Sequence, residues 1–204
     1  VRLDLHVHTS YSGDSSLSIK QLFKWISVQR HLNGIAITDH DTLRGYNQLT
    51  KQKPVQMEFL IIPGIEITLK EGHMVVLGVS EEPKKAITTV YDVADYAREH
   101  EGIVVIPHPY RSGGIGALAE TSPADAVETI NLHAKKHENK MARLLAKARG
   151  LPQIAGSDAH EVKSLGMAYT DVEAEGTIED ALKGVKNGKA AVYKLPHQSA
   201  SYLF

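Results

Sequence analysis

The sequence predicts an α/β fold, a distorted (β/α)7 barrel of the TIM-barrel kind, in a single domain over residues 1–204. Three observations predict it. Short apolar runs alternate with stretches of helical periodicity, the pattern of a parallel sheet covered by helices. The 204 residues fall short of the roughly 250 that eight such units occupy, and suit about seven. Imidazoles and carboxylates stand at or just beyond the ends of at least five strands, and a barrel's rim gathers all those ends. An open doubly wound sheet, the rival arrangement, would gather only the neighbours of its switch point.

The first strand contains Asp4-Leu5-His6-Val7-His8-Thr9, where alternation puts Asp4, His6 and His8 on one face and Leu3, Leu5 and Val7 on the other. Two imidazoles two positions apart on a strand lie about 7 Å apart at Cα, close enough to converge on one metal ion. A polar loop, Ser10 to Ser16, follows. Ser18 then caps a helix whose Ile19, Leu22, Phe23 and Ile26 recur at helical spacing, ended by Asn33-Gly34. Residues 35–38 form a short buried strand that runs into Asp39-His40-Asp41-Thr42. A helix over roughly 42–52 stops before Pro54, and 59–67 is a strand with Glu66 as its one acid. His73 leads the next strand, 72–79. A helix over 86–100 follows, and the strand 103–106 delivers Pro107-His108-Pro109. Arg111-Ser112-Gly113-Gly114-Ile115-Gly116 lacks the lysine of a phosphate-binding P-loop and reads as a mobile loop or lid. A strand at 126–131, a helix at 136–149 ended by Gly150, and a strand at 152–156 lead to Ser157-Asp158-Ala159-His160. Short strands at 168–172 and 190–193 flank a helix at about 177–187, and residues 196–204 carry little pattern.

The net charge of −1 and pI of about 6.9 argue against a chain held to nucleic acid or membrane by bulk charge. With no cysteine, disulfides, thiolate nucleophiles and zinc–thiolate sites are excluded, so any metal must take nitrogen and oxygen ligands. No apolar run approaches the roughly 20 residues of a membrane span and no signal-peptide pattern is present, so a cytoplasmic protein without a membrane partner is expected.

The strand-end donors are His6, His8, Asp14, His40, Glu66, His73, His108, Asp158 and His160. Burying so many unpaired polar groups would cost several kcal/mol apiece, a cost that metal ions resolve. The nine are too many for one four-coordinate ion, so two to three divalent ions with bridging carboxylates are expected. Mixed imidazole and carboxylate ligation suits Mn, Fe or Zn. Asp4, Asp39 and Asp41 are candidates to fix imidazole orientation, with capping or turn formation as the alternative. Arg111 is the candidate phosphate grip because a guanidinium binds phosphate bidentately; a solvated loop arginine is its alternative, and Ser157 and Lys163 are weaker candidates. Glu128 and Asn131 either line the site or pair with neighbouring backbone. His133 and His137 read as surface residues. Lys136, Lys140, Arg143 and Lys147 form a basic stripe that either tracks a nucleic-acid backbone or is a solvated helix face opposite Met141, Leu144, Leu145 and Ala148.

Taken in order, Asp4-x-His6-x-His8-Thr9, Thr38-Asp39-His40-Asp41, Gly64-Ile65-Glu66 with His73, His108-Pro109, and Ser157-Asp158-Ala159-His160 resemble the PHP family, the polymerase and histidinol phosphatase group, over about residues 1–166. The resemblance implies a distorted seven-stranded barrel with a trinuclear site. One metal would take His6, His8, Glu66 and Asp158, a second Asp14, His40 and His160, and a third His73 and His108 with Glu66 bridging. It also implies a metal-dependent phosphoric ester hydrolase using metal-activated hydroxide. The expected partner is a small phosphorylated substrate, a nucleotide or short oligonucleotide, without strong duplex nucleic-acid binding. A metal-dependent amide or lactone hydrolase and a non-catalytic metal-binding regulatory module are the alternatives.

Overall fold

The computed structural model describes residues 1–52 and 58–196; the expected helix stop at Pro54 and the stretch 197–204 lie outside the described residues. Strands β1 (Arg2–Val7), β2 (Gly34–Ile37) and β3 (Leu60–Leu69) pair in parallel, with α1 (Ile19–Val28) and α2 (Arg44–Gln52) in the crossovers. Ser18 and Gln21 form the reciprocal capping box that starts α1. Strand β3 then turns straight back into β4 (Gly72–Leu77), antiparallel to it. Helix α3 (Val90–Glu99) leads to β5 (Ile103–Ile106), antiparallel to β4, and parallel pairing resumes through β6 (Ala126–Asn131), α4 (Lys136–Arg149) and β7 (Gln153–Gly156). Helix α3 begins at Val90 rather than near 86 because Thr89 and Asp92 form its capping box.

The sheet is therefore mixed where an all-parallel one was expected. Only Lys70 and Glu71 separate β3 from β4, and a parallel connection needs a dozen residues or more. The reversal has a use. Because β4 runs against its neighbours, its first residues lie at the rim where the other strands end, which brings His73 to the same end as His40 and His108.

All strands among the described residues belong to one sheet, ordered β7-β6-β5-β4-β3-β2-β1-β8-β9, with β8 (Ala168–Val172), α5 (Ile178–Lys186) and β9 (Ala190–Lys194) completing it. The sheet curls into a nearly closed barrel. Strand β8 pairs antiparallel with the start of β1, through Arg2 and Leu3. The end of β1 instead meets the segment after β7: Asp158 N–H donates to His6 O at 2.8 Å and His8 N–H to Ala159 O at 3.0 Å.

Inside the barrel Leu3, Leu5, Ala36, Ile62, Val75, Val105, Ala126 and Ile154 pack together, with Ala181, Leu182 and Val185 of α5 in the same cluster. Outside, Leu22, Trp25 and Ile26 of α1 cover Ile35, Ile37 and Ile61, while Val93, Ala97, Ala142 and Leu145 of α3 and α4 cover Ile65, Val76, Val104 and Val127. Fully burying such a side chain contributes about 1.5–3 kcal/mol, which offsets the desolvation of polar groups at the rim.

Two departures from simple periodicity matter. Between Asp4 and Val7 the pairing of β1 with β2 slips by a residue. Leu3 and Leu5 belong to the inner cluster whereas Val7 joins the outer one, so alternation breaks and Asp4 does not share the face of His6 and His8. On α4 the buried residues are Asn139, Ala142, Leu145 and Ala146, while Met141 and Leu144 are 44% and 58% exposed. The helix is thus rotated from the expectation that Met141, Leu144 and Ala148 would face the core.

Candidate metal centre

Glu66 is the hub. It sits on β3 and is buried, and its two oxygens divide a ring of imidazoles between them. Oε2 lies 3.2 Å from His6 Nε2, 3.0 Å from His8 Nε2 and 3.7 Å from His40 Nε2. Oε1 lies 3.2 Å from His73 Nδ1 and 3.1 Å from His108 Nε2. Asp158 Oδ1 faces the first group, 3.4 Å from His8 Nε2 and 3.7 Å from His6 Nε2. Asp14, from the polar loop after β1, places Oδ2 3.0 Å from His160 Nε2 and 3.4 Å from His40 Nε2. All nine sequence-derived donors thus meet at one rim.

Backbone geometry aims several of them. His108 and Asp158 take φ of +27° and +52°, left-handed values that cost a non-glycine residue about 1–3 kcal/mol. Both stand just past the end of a parallel strand, where the turn returns the side chain over the rim. Gly156 serves the same end by absence of a side chain: a Cβ there would lie 2.7 Å from Glu128 Oε1 and closer still to His6 Cβ.

The partners behind the donors differ from those expected. Glu128 Oε1 is 3.1 Å from His6 Nδ1, and because a carboxylate only accepts, this fixes the proton on Nδ1 and leaves Nε2 free toward the centre. Glu128 Oε2 accepts from His108 N–H at 2.9 Å and Asn131 Nδ2 at 3.0 Å. Ser12 Oγ lies 2.9 Å from His8 Nδ1 and accepts from His40 N–H at 3.1 Å. His160 Nδ1 is 2.8 Å from the Asp158 carbonyl oxygen. Asn131 Nδ2 also donates to Asp158 Oδ2 at 3.1 Å.

Among the described residues none of Asp4, Asp39 and Asp41 bonds an imidazole. The slipped β1 turns Asp4 toward Ser157, whose N–H and Oγ donate to it at 2.8 and 2.5 Å, and toward Gly166 N–H at 2.9 Å. Asp39 accepts from Thr9 N–H at 2.5 Å and Thr9 Oγ1 at 2.7 Å, and Asp41 from Thr68 N–H at 2.9 Å. These carboxylates brace loops, the turn-forming alternative. Arg111 Nη1 lies 2.7 Å from Asp158 Oδ2, so it is an ion-pair partner inside the site rather than a free loop arginine. Lys163 pairs with Glu161 at 2.8 Å. The glycine segment after Arg111 is docked, not a free lid: Gly113 O accepts from His73 N–H at 2.8 Å, and Gly114 packs on the His108 and Pro109 backbone. His133 lies nearer than its reading as a remote surface residue implied, its ring edge-on to His160 at 6.2 Å.

The electrostatics follow from charge confined out of water. Burial opposes ionisation of Glu66, yet His6, His108 and His73 hold its carboxyl well below the usual range. Asp158 is likewise pushed well down, by His6 and His8 against burial. Burial lowers the His8 imidazolium, but Asp158 and Glu66 outweigh it and raise the group to about 9. Asp4, desolvated by burial, rises to about 6 despite the hydrogen bonds from Ser157, Gly166 and the His6 N–H.

The donor set fits metal ions. Four triads, His6/His8/Asp158, His6/Glu66/His108, His8/Asp14/His160 and His8/His40/Glu66, each bring three ligand atoms within 4.8 Å of one another. Three nitrogen and carboxylate donors at such separations match zinc-like or manganese-like coordination. The buried His73 Nδ1 makes no hydrogen bond although Glu66 Oε1 is 3.2 Å away, as a nitrogen aimed at a shared ion would.

The PHP domain family model matches residues 4–103, and a second, PHP-associated, matches residues 136–190. The chain belongs to the PHP family. Membership makes it a metal-dependent hydrolase of that family. An uncharacterized protein of Methanocaldococcus jannaschii is 27% identical over 167 residues, 76% of this chain and 96% of its own. Among solved structures, a two-domain Bacteroides vulgatus protein containing a predicted PHP-like metal-dependent phosphoesterase superposes with a TM-score of 0.76 at 20% identity, over 96% of this chain and 65% of that one. The lesion-specific endonuclease Q of Pyrococcus furiosus gives 0.68 at 18% identity, over 94% of this chain and 57% of that one. The chain thus spans less than two thirds of either protein. Both likenesses are of fold. No helix among the described residues is long and apolar enough to cross a membrane.

Proposed function

We propose that this PHP chain is a phosphoesterase that holds three divalent ions and hydrolyses nucleotides or short oligonucleotides. The observation that carries the reading is the division of Glu66 between two sets of imidazoles, the arrangement of a carboxylate shared by neighbouring ions. His6, His8 and Asp158 with Glu66 would hold one ion, Asp14, His40 and His160 a second, and His73 and His108 with Glu66 a third. When bound, Mn, Fe or Zn would supply an activated water and neutralise charge on the phosphoryl oxygens. The chain's own residues do the positioning. Glu128, Ser12 and the Asp158 carbonyl fix the three imidazoles of His6, His8 and His160 by their outer nitrogens. Arg111, 24% exposed beside Asp158, holds a phosphate oxygen at the mouth through the donors that Asp158 leaves free. Endonuclease Q, a nuclease on the same fold, supports a nucleotide-containing substrate.

The test combines metal analysis with a hydrolysis panel of phosphomonoesters, phosphodiesters, nucleotides, oligonucleotides and lactones under Mn, Fe and Zn. Two to three equivalents of metal and phosphate release from nucleotide substrates are expected, with His8→Ala and Asp158→Ala inactive but folded. Less than one equivalent, or turnover of lactones alone, would overturn the reading.

A further inference from the structure

Helix α4 sets a second surface beside the metal centre. Its first turn is pinned to the rim: Asn139 Oδ1 accepts from Asn131 N–H at 3.1 Å and Asn139 Nδ2 donates to Asn131 O at 3.0 Å, while the Asn131 side chain reaches Glu128 and Asp158. From there the helix leads away down the barrel wall. Lys136, Lys140, Arg143 and Lys147 recur at three- and four-residue spacing, one exposed stripe about 16 Å long at 1.5 Å per residue.

Charge is segregated onto this helix. Residues 135–149 hold six Lys or Arg and one acid, whereas the rest of the chain holds 17 and 23. Among the described residues none of the four stripe cations makes an ion pair, which they share with most other lysines and arginines, so it is their alignment on one helix face that sets them apart. Leu144 flanks the stripe and Met141 lies beyond it on the same exposed side, two of the five exposed large hydrophobics among the described residues. A stripe of four like charges that begins at the rim of the metal centre, on a helix with one acid, is the arrangement that a polyanion running to the site would meet.

We infer that this face of α4 is the track for a single-stranded nucleic acid whose end enters the metal centre. Phosphates, spaced about 6–7 Å along a strand, would meet Lys136, Lys140, Arg143 and Lys147, and unstacked bases would cover Met141 and Leu144. A duplex buries its base faces and would leave the apolar pair uncovered. The inference rests on the phosphoesterase reading for its purpose, and makes the substrate an oligonucleotide rather than a mononucleotide.

The test is fluorescence anisotropy of the metal-loaded protein with a fluorescein-labelled, cleavage-resistant phosphorothioate oligothymidylate of about 12 nucleotides, together with initial rates on p-nitrophenyl phosphate and on oligonucleotides of increasing length. Four phosphate contacts predict binding about 50-fold weaker at 200 mM than at 50 mM salt. Joint Lys140→Glu, Arg143→Glu and Lys147→Glu should weaken binding at least about tenfold and abolish the fall of KM with length, with p-nitrophenyl phosphate turnover unchanged. Joint Lys140→Arg and Lys147→Arg should retain binding. If the reversed variant fails to fold, joint replacement by Gln takes its place. Parental binding by the charge-removed protein overturns the inference, as does preference for duplex, for polyglutamate or for anionic vesicles. Oligonucleotide binding without hydrolysis of any phosphoester would instead sink the phosphoesterase reading and leave the track standing.

Discussion

His6 and Glu128 meet at 3.1 Å across the barrel mouth, Nδ1 to Oε1, while His6 Nε2 looks the other way, toward Glu66 and His8. The pairing register slips on both strands involved, between Asp4 and Val7 on β1 and between Glu128 and Ile130 on β6. The two irregularities lie where the two side chains meet, consistent with bulges re-aiming residues at a site.

Replacing Glu128 by Gln keeps the shape but removes the charge and makes one side-chain atom a donor. His6 Nδ1–H, His108 N–H and Asn131 Nδ2 then compete for a single acceptor. A 10- to 100-fold loss of metal affinity, of the order seen when a ligand's outer partner is removed, is expected in chelator competition with the fold intact. Unchanged affinity would mean that Glu128 is a structural group only.

Gly156→Ala tests the close approach that lets His6 and Glu128 touch. The added methyl would lie 2.7 Å from Glu128 Oε1, and backbone rather than a flexible tip must give on the His6 side. Overpacking of this kind costs about 1–3 kcal/mol. A lower Tm together with weaker metal binding is expected, whereas Gly150→Ala, with open space around its Cβ, should leave metal binding unchanged.

The pH response of metal-stripped protein follows from His8, Glu66 and Asp158. The folded value of His8 is raised from 6.5 to about 9, so its stabilisation is complete below 6.5 and is lost as pH rises through about 9. Glu66 and Asp158 are lowered from 4.5 and 3.8, so theirs is present above those values and lost as pH falls through the folded ones. Stripped protein should therefore melt highest between about pH 4.5 and 6.5. A metal ion must displace the His8 proton, so added Mn should raise Tm more at pH 8.5 than at pH 6, by differential scanning fluorimetry. Equal increments at both pH values would show that His8 is not a ligand.

Much of this site was legible in the chain because chemistry and position coincide. His40, Glu66, His108 and Asp158 each follow or interrupt an aliphatic run, and no cysteine competes for the metal. Glu128 and Asn131 were legible as strand-end residues that line the site, but the bond of Glu128 to His6 was not, because alternation is the default expectation for a strand and an inserted residue leaves no mark in Asp4-Leu5-His6-Val7. The same default put Asp4 on the imidazole face. The β3–β4 reversal, by contrast, was readable: the short gap between Ile67 and Gly72 cannot hold a parallel crossover. The outward turn of Met141 and Leu144 was not, because the stripes available on α4 differ by only a fraction of a turn and tertiary packing selects Ala142, Leu145 and Ala146.

Arg111 separates two roles that its position confounds. Its Nη1 neutralises Asp158 Oδ2 at 2.7 Å, and its side chain, 24% exposed, also faces the mouth. Asp158 presents the other oxygen, Oδ1, to His6, His8 and His160, and keeps Asn131 Nδ2 on Oδ2 at 3.1 Å. Loss of Arg111 therefore leaves Asp158 one buried donor and its inward oxygen in place. If the guanidinium grips phosphate, Arg111→Ala should keep metal content near parental and raise KM at least about tenfold, a loss of about 1.4 kcal/mol of binding. Arg111→Lys should recover only part of it, because an ammonium cannot span Asp158 and a phosphate oxygen as a planar fork does. Metal content that falls while KM holds would assign Arg111 to positioning Asp158 alone, and a KM insensitive to both substitutions would remove it from substrate recognition.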